Sequence, residues 1–118
     1  MPELTSAQLE HACETYVSLL GDENVDALLE LFAEDCTVED PVGADVRAGQ
    51  DDVRAFYATL PGVGVSAKLT GPVHAVPDAK AAAFQFELDS GGFVVQAIDV
   101  MTFDDDGKIT SMTAYWKM

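Results

Sequence analysis

Basic residues are scarce in this sequence. Six lysines and arginines stand against 21 aspartates and glutamates, so the formal net charge of the 118 residues is −15. A surface this negative repels nucleic-acid phosphates and anionic lipid head groups, and no basic cluster offsets it. The composition therefore argues against nucleic acid and against a membrane surface as partners.

Long apolar runs and paired cysteines are also lacking. No segment approaches the roughly 20 apolar residues of a membrane helix, and the first residues do not have the basic and apolar regions of a signal peptide. The two cysteines, Cys13 and Cys36, lack framework spacing and lie in apolar-patterned segments, so we expect reduced, buried thiols in a cytoplasmic protein. His11 and His74 lack ligand spacing to either cysteine, so we expect no metal site.

The length of 118 residues predicts a single domain, residues 1–118. Hydrophobic residues make up 48% of the chain and charged residues 23%, which is typical of a globular domain with its own core.

The first half of the sequence predicts helices. Thr5 and Gln8 have the spacing of a capping box, which predicts a helix start there, and Gly21 provides a stop. The apolar residues between them recur at helical spacing: Leu9, Ala12, Cys13, Tyr16, Val17 and Leu20. Asn24 can cap a second helix, whose apolar face is Val25, Leu28, Leu29 and Phe32.

A short extended segment is predicted at 37–39, ended by Asp40 and Pro41, because a residue before proline is pushed out of helical geometry. A third helix follows over about 51–60, and Pro61 and Gly62 end it. In the second half the period changes to two, over segments 63–69, 82–88, 93–103 and 112–118, with a hairpin turn at 104–107.

Alternation of this kind predicts a sheet with one dry face. The sequence therefore predicts an α+β fold in which three helices from the N-terminal half cover a mostly antiparallel sheet. A curved sheet wrapped in this way would enclose an apolar pocket.

Three side chains do not fit a plain core. Counting every second residue along the predicted strand, Asp99 shares a face with four apolar residues. Burying an ionised carboxylate there would cost roughly several kcal/mol, so the group must be either paired with a donor or protonated. The sheet has few basic residues to pair with it, which favours a protonated acid, although a structural aspartate held by donors stays open.

Asp40 is either a turn former or a base aimed into the pocket. Tyr16 is either core or a phenol donor, with Tyr57 on the third helix as its partner.

Together these groups suit one chemistry. A carboxylate can remove a proton next to a carbonyl, while a phenol and a neutral acid stabilise the resulting enolate oxygen. No metal or organic cofactor is needed for that reaction.

The same residues carry a resemblance to a known family. The chain resembles the bacterial ketosteroid isomerases (steroid delta-isomerases), of the nuclear-transport-factor-like cone superfamily, over nearly its whole length. The sharpest stretches are 32–43, FAEDCTVEDPVG, and 97–104, AIDVMTFD; supporting ones are 55–57, AFY, 69–73, LTGPV, and 112–116, MTAYW.

The resemblance implies a conical, curved sheet with three helices, a homodimer, and a cofactor-independent isomerisation of a 3-oxo steroid. Asp40 would carry a proton from C4 to C6, Tyr16 and the protonated Asp99 would donate to the oxyanion, and Tyr57 would hydrogen-bond Tyr16. Ketosteroid isomerases are the standard example of this arrangement. The steroid pocket would be lined by Trp116, Phe84, Phe86, Met112 and Phe56. Some members carry a further tyrosine where this chain has Phe32.

Two alternatives stay open. One is another cofactor-free pocket enzyme of the same fold, of the polyketide cyclase, dehydratase or epoxide hydrolase type. The other is a non-catalytic module that binds a sterol-like ligand, which would need the pocket but not the base.

Overall fold

The computed structural model describes residues 4–22, 25–58, 65–90 and 93–117. These residues form three α-helices, α1 (Ser6–Asp22), α2 (Val25–Leu29) and α3 (Gln50–Ala58), and one 3-10 turn, Pro77–Ala79. The strands are β1 (Phe32–Glu39), β2 (Arg47–Ala48), β3 (Val65–Leu69), β4 (His74–Val76), β5 (Ala81–Ser90), β6 (Phe93–Phe103) and β7 (Ile109–Lys117).

The strands form one mixed sheet. Its order is β2-β1-β7-β6-β5-β3, with β4 also pairing with β5, and the two ends of this path do not meet. Only the β1–β7 pairing is parallel among the pairings of the described strands. The predicted α+β class with three helices and a mostly antiparallel sheet is confirmed.

The start of α1 follows the predicted capping box. The Thr5 N–H donates to Gln8 Oε1 at 2.8 Å, and the Gln8 N–H donates to Thr5 Oγ1 at 3.2 Å. These two bonds satisfy amide groups that the first turn of a helix otherwise leaves unpaired. The apolar face of the helix is buried as predicted, at Leu9, Cys13, Tyr16, Val17 and Leu20.

The prediction that Phe32 belongs to the second helix is wrong. Helix α2 ends at Leu29, the Leu31 N–H closes a turn on the Leu28 carbonyl at 3.0 Å, and Phe32 begins β1. Phe32 has helical spacing from Leu28 and Leu29, but its backbone is taken up by pairing with Ile109 of β7. Strand β1 therefore starts five residues before the extended segment predicted at 37–39.

The two-residue period of the second half is confirmed in β6, where the buried residues Ala97, Asp99, Met101 and Phe103 alternate with exposed ones such as Ile98. The turn at 104–107 is also as predicted, with the Asp104 carboxylate accepting from the Asp106 and Lys108 amides at 2.9 Å. The short strands β2 and β4 were not predicted. The predictions for Asn24, for residues 59–64 and for Met118 lie outside the described residues.

Both cysteines are free and buried, as predicted. Within the part of the chain that the structure describes, every helix is too short or too polar to span a bilayer. The cytoplasmic location stays a prediction.

Candidate active site

Asp99 lies in the middle of β6 on the interior face of the sheet. Its cross-strand neighbours are Phe84 on β5 and Ala114 on β7, and both are buried. Directly opposed residues of paired strands point to the same face. The carboxyl group is therefore set among apolar side chains, as the parity of β6 predicts.

The register of the sheet brings Asp40 to the same place. Glu39, the last residue of β1, pairs with Thr113, so Asp40 comes level with Ala114. The Val42 N–H donates to the Ala114 carbonyl at 2.7 Å and fixes the chain just beyond the cis Asp40–Pro41 bond. Because Ala114 also pairs with Asp99 on β6, Asp40 and Asp99 lie on opposite sides of this one small residue.

Asp99 is 1% exposed, and neither of its carboxyl oxygens has a hydrogen-bond partner among the described residues. Burial raises its pKa well above the ordinary value of 3.8, and the charge of nearby Asp40 raises it further. An ionised carboxylate without donors is strongly disfavoured in such surroundings. Burial thus shifts Asp99 towards its protonated form, a carboxylic acid whose O–H could donate.

Asp40 is only partly buried and behaves differently. Burial raises its pKa from 3.8 to about 6, and a side-chain hydrogen bond from Trp116 acts in the opposite direction. Its Oδ1 atom is buried and has no partner among the described residues. At neutral pH, Asp40 is thus an ionised carboxylate of increased basicity, with one oxygen left to accept a proton.

Tyr16 of α1 and Tyr57 of α3 form a phenol pair. Their hydroxyl oxygens are 2.7 Å apart, and each residue is 1% exposed. Burial raises the pKa of both phenols, and ionisation of Asp99 or Asp40 would raise it further. The ring of Tyr16 also packs edge-on against Phe84, 6.1 Å between centroids, and Phe84 is the cross-strand neighbour of Asp99. The structure thus brings all four predicted polar residues into one region.

The predicted pocket walls differ in how far they are buried. Phe84 and Met112 are 1% exposed and Phe86 is 6% exposed, and Phe86 packs on Phe84 with centroids 5.7 Å apart. Phe56 is half-buried and packs edge-on against Tyr57 at 5.0 Å. Trp116 is 40% exposed although its side chain hydrogen-bonds Asp40.

Cys13 is a neighbour of the site that sequence reasoning assigned only to the core. It lies one helical turn before Tyr16 and is fully buried, and burial together with the charge of Asp99 raises its pKa to about 12. The thiol is therefore protonated and unreactive. The three-residue spacing from Tyr16 was the signal that could have placed it beside the site. Among the described residues, no three His, Cys, Asp or Glu side chains gather as a metal site.

Residues 13–112 match the model of the SnoaL-like domain. The chain belongs to the SnoaL-like domain family. It is 42% identical over 113 residues to a steroid delta-isomerase from Nocardioides simplex, an alignment that covers 94% of this chain and 91% of the relative. A solved structure of SalBIII also matches, with a TM-score of 0.83 and 31% identity over 95% of this chain and 92% of that one. That protein is described as an epoxide hydrolase/cyclase-like enzyme with a role in pyran ring formation in the polyether salinomycin.

These likenesses confirm the resemblance to the ketosteroid isomerases, the conical form of the predicted fold, and an isomerase as the class of enzyme. The roles of the individual site residues and the homodimer stay predictions.

Proposed function

We propose that this protein is a cofactor-independent isomerase that moves the double bond of a β,γ-unsaturated 3-oxo steroid into conjugation with the ketone. The proposal depends most on one observation: Asp99 is a buried carboxyl group without a hydrogen-bond partner among the described residues, and it lies close to a second carboxyl group, Asp40, whose pKa burial raises to about 6. A plain structural role would leave Asp99 hydrogen-bonded.

Asp40 is the proposed base. Its carboxylate removes a proton from C4 of the substrate, and the electrons of that C–H bond pass through the C3–C4 bond to the carbonyl oxygen. The product of this step is a dienolate. Asp40, now a carboxylic acid, returns the same proton to C6, the double bond moves from C5–C6 to C4–C5, and the carboxylate is restored.

Tyr16 and Asp99 are the proposed donors to the oxygen that becomes negative. Their O–H groups are held in a site with little access to water, where a hydrogen bond to a developing charge stabilises more than it would in solution. A neutral Asp99 is essential to this role, because an ionised carboxylate would repel the oxyanion. The proposal takes Tyr57 as the donor in the 2.7 Å bond between the two hydroxyl groups when substrate is bound, which leaves the Tyr16 proton for the substrate oxygen.

The proposed steroid site lies on the apolar residues around these groups, Phe84, Phe86, Met112, Phe56 and Trp116. Phe84 and Phe86 would contact the deep end of the ring system because they flank Asp99 and Tyr16. Trp116 would lie nearer the opening, because it combines a hydrogen bond to Asp40 with partial exposure.

The experiment is a spectrophotometric assay. We expect purified protein mixed with 5-androstene-3,17-dione to produce the ultraviolet absorbance of the conjugated enone, and Asp40→Asn to abolish that rise while steroid binding survives. Asp45→Asn is the matched control, because it removes the same charge from an exposed residue of the following loop. A flat trace from folded wild-type protein would reject the proposed reaction.

The likeness to SalBIII makes an epoxide hydrolase or cyclase the second candidate. Such an enzyme would also use Asp40 but would leave the steroid unchanged and act on an epoxide. A non-catalytic binding module would bind the steroid, and its binding would be the same with Asp40 or asparagine at that position.

A further inference from the structure

A polar cleft lies beside the phenol pair. It has a volume of about 510 Å³, lies between α2 and α3, and is lined by Asp26, Leu29, Glu30, Phe32, Gln50 and Arg54. Asp26 and Arg54 form an ion pair, and Glu30 is exposed. The cleft is therefore open to water.

One aromatic ring connects this cleft to the site. Phe32 lines the cleft but is only 3% exposed, so almost all of its surface is in contact with protein. Its ring packs edge-on against Tyr16, with centroids 6.3 Å apart, and tilted against Tyr57, with centroids 5.8 Å apart. Phe32 thus contacts both phenol rings and also borders a cleft that is open to water.

Gln50 holds the backbone around Phe32. Its side-chain amide donates to the carbonyl oxygens of Leu29, Phe32 and Ala33 at 3.2, 3.0 and 3.2 Å. Gln50 is also the first residue of α3, the helix that carries Tyr57 two turns later. One side chain therefore ties the start of β1 to the helix of the phenol pair.

We propose that Phe32 is a seal that keeps the water of the α2–α3 cleft away from the Tyr16–Tyr57 pair, and that Gln50 positions this seal. Phe32 is a positioning residue here, since it acts through the two phenols. Its value for turnover rests on the proposed function, because donors to an oxyanion are effective only while water is kept out.

Removing the ring should let water in. Phe32→Ala leaves a hole bordered by a polar cleft on one side and by the two phenol rings on the other, and a hole with polar partners and enough room takes up water. Because burial is the main cause of the raised pKa of both phenols, hydration should lower it. Asp99 and Asp40, whose ionisation also acts on the pair, are retained in every variant below.

The experiment is a spectrophotometric titration of the phenols. The chain has three tyrosines, so a Tyr115→Phe background leaves only the pair to give a phenolate signal. Phe32→Ala is compared with Phe103→Ala, a matched control because Phe103 is buried to a similar degree, at 4% exposure, and contacts neither phenol ring. We expect the pair to titrate at least about one pH unit lower in Phe32→Ala than in the control. Gln50→Met, which loses the donors, keeps a similar size and adds no charge, should shift the titration in the same direction by less.

If Phe32→Ala does not fold, Phe32→Val is compared with Phe103→Val for the same direction of shift. Equal titration of the phenol pair in the Phe32 and Phe103 variants would overturn the seal. The titration does not depend on turnover, so it tests the seal separately from the proposed function. If the phenol pair titrates lower in Phe32→Ala but the wild-type protein leaves the steroid unchanged, the proposed function is rejected and the seal is supported. Where the steroid does react, we expect kcat to fall by about tenfold or more in Phe32→Ala alone, with little change in KM.

Discussion

Replacing Asp40 by asparagine should stabilise the fold at neutral pH even as it removes the proposed base. Burial holds the pKa of Asp40 at about 6 in the folded protein, against an ordinary value of 3.8. The folded state therefore binds this proton more tightly than the unfolded state does. The contribution of Asp40 is present in full below pH 4, and it is lost as the pH rises towards 6.

The size of the effect follows from the shift. About two pKa units at 1.36 kcal/mol each amount to about 3 kcal/mol between acid and neutral pH, an upper figure because Asp40 is not fully buried. About half of that is already lost at pH 5, which leaves about 1.4 kcal/mol between pH 5 and pH 8. Asparagine has no proton to lose, so the variant lacks this part of the pH dependence.

The assay is urea unfolding of both proteins from pH 5 to pH 8, at equal protomer concentration because a dimer would make stability depend on concentration. This range stays above the isoelectric point of about 4.1, where solubility is lowest. Asp99 is common to both proteins, and burial, the largest cause of its raised pKa, acts on it in both, so most of its contribution cancels in the difference between them. We expect the free energy of unfolding of Asp40→Asn to gain about 1.4 kcal/mol on wild type over this range. A difference that is independent of pH, or that runs in the opposite direction, would refute the reasoning.

Three further results are expected. Asp99→Leu and Tyr16→Phe should each lower kcat by about 10²-fold or more in the enone absorbance assay, since each removes one donor to the oxyanion, and rates near wild type would withdraw those roles. Trp116→Phe should move the acidic limb of the pH–rate profile above about 6, because the lost hydrogen bond acted to lower the pKa of Asp40; an unmoved limb would show that this bond does not act on the base. Thr5→Ala should lower the free energy of unfolding by about 1 kcal/mol in urea titrations with no change in kcat, and an unchanged midpoint would mean that the capping box adds nothing.

Asp99 could be predicted because β6 keeps its own alternation from Ala97 to Phe103. The one register shift between β6 and β7 comes beyond Asp99, and its extra residue, Thr110, is on β7. The alternation of inward and outward side chains along β6 is therefore unbroken and places Asp99 on the interior face. In β1 the register shifts between Phe32 and Thr37, with Glu34 and Asp35 both exposed. Because the alternation is broken there, the sequence pattern did not predict the first half of β1 as a strand.

The remaining features depend on contacts between distant residues. The three carbonyl groups that Gln50 reaches are 17 to 21 residues away from it, and no local pattern marks a glutamine for that role. Trp116 continues the inward alternation of β7, but it is 40% exposed because the interior face ends there. Alternation predicts the face of a strand and not how far along it the core extends.

The parallel pairing of β1 with β7 bears on how the protein folds. Asp40 depends on Ala114 for its position, and the two are 74 residues apart in the sequence (114 − 40), so the base is fixed only after most of the chain has been drawn into a closed loop. Closing such a loop costs conformational entropy before the contacts between its ends can stabilise the chain. Folds rich in pairings between distant residues accordingly form over roughly milliseconds to seconds. The hairpin of β6 and β7 needs only a short turn and can form early. We therefore expect Asp99 to be in place before β1, the strand that leads to Asp40, has paired, so that the two proposed catalytic groups come together late in folding.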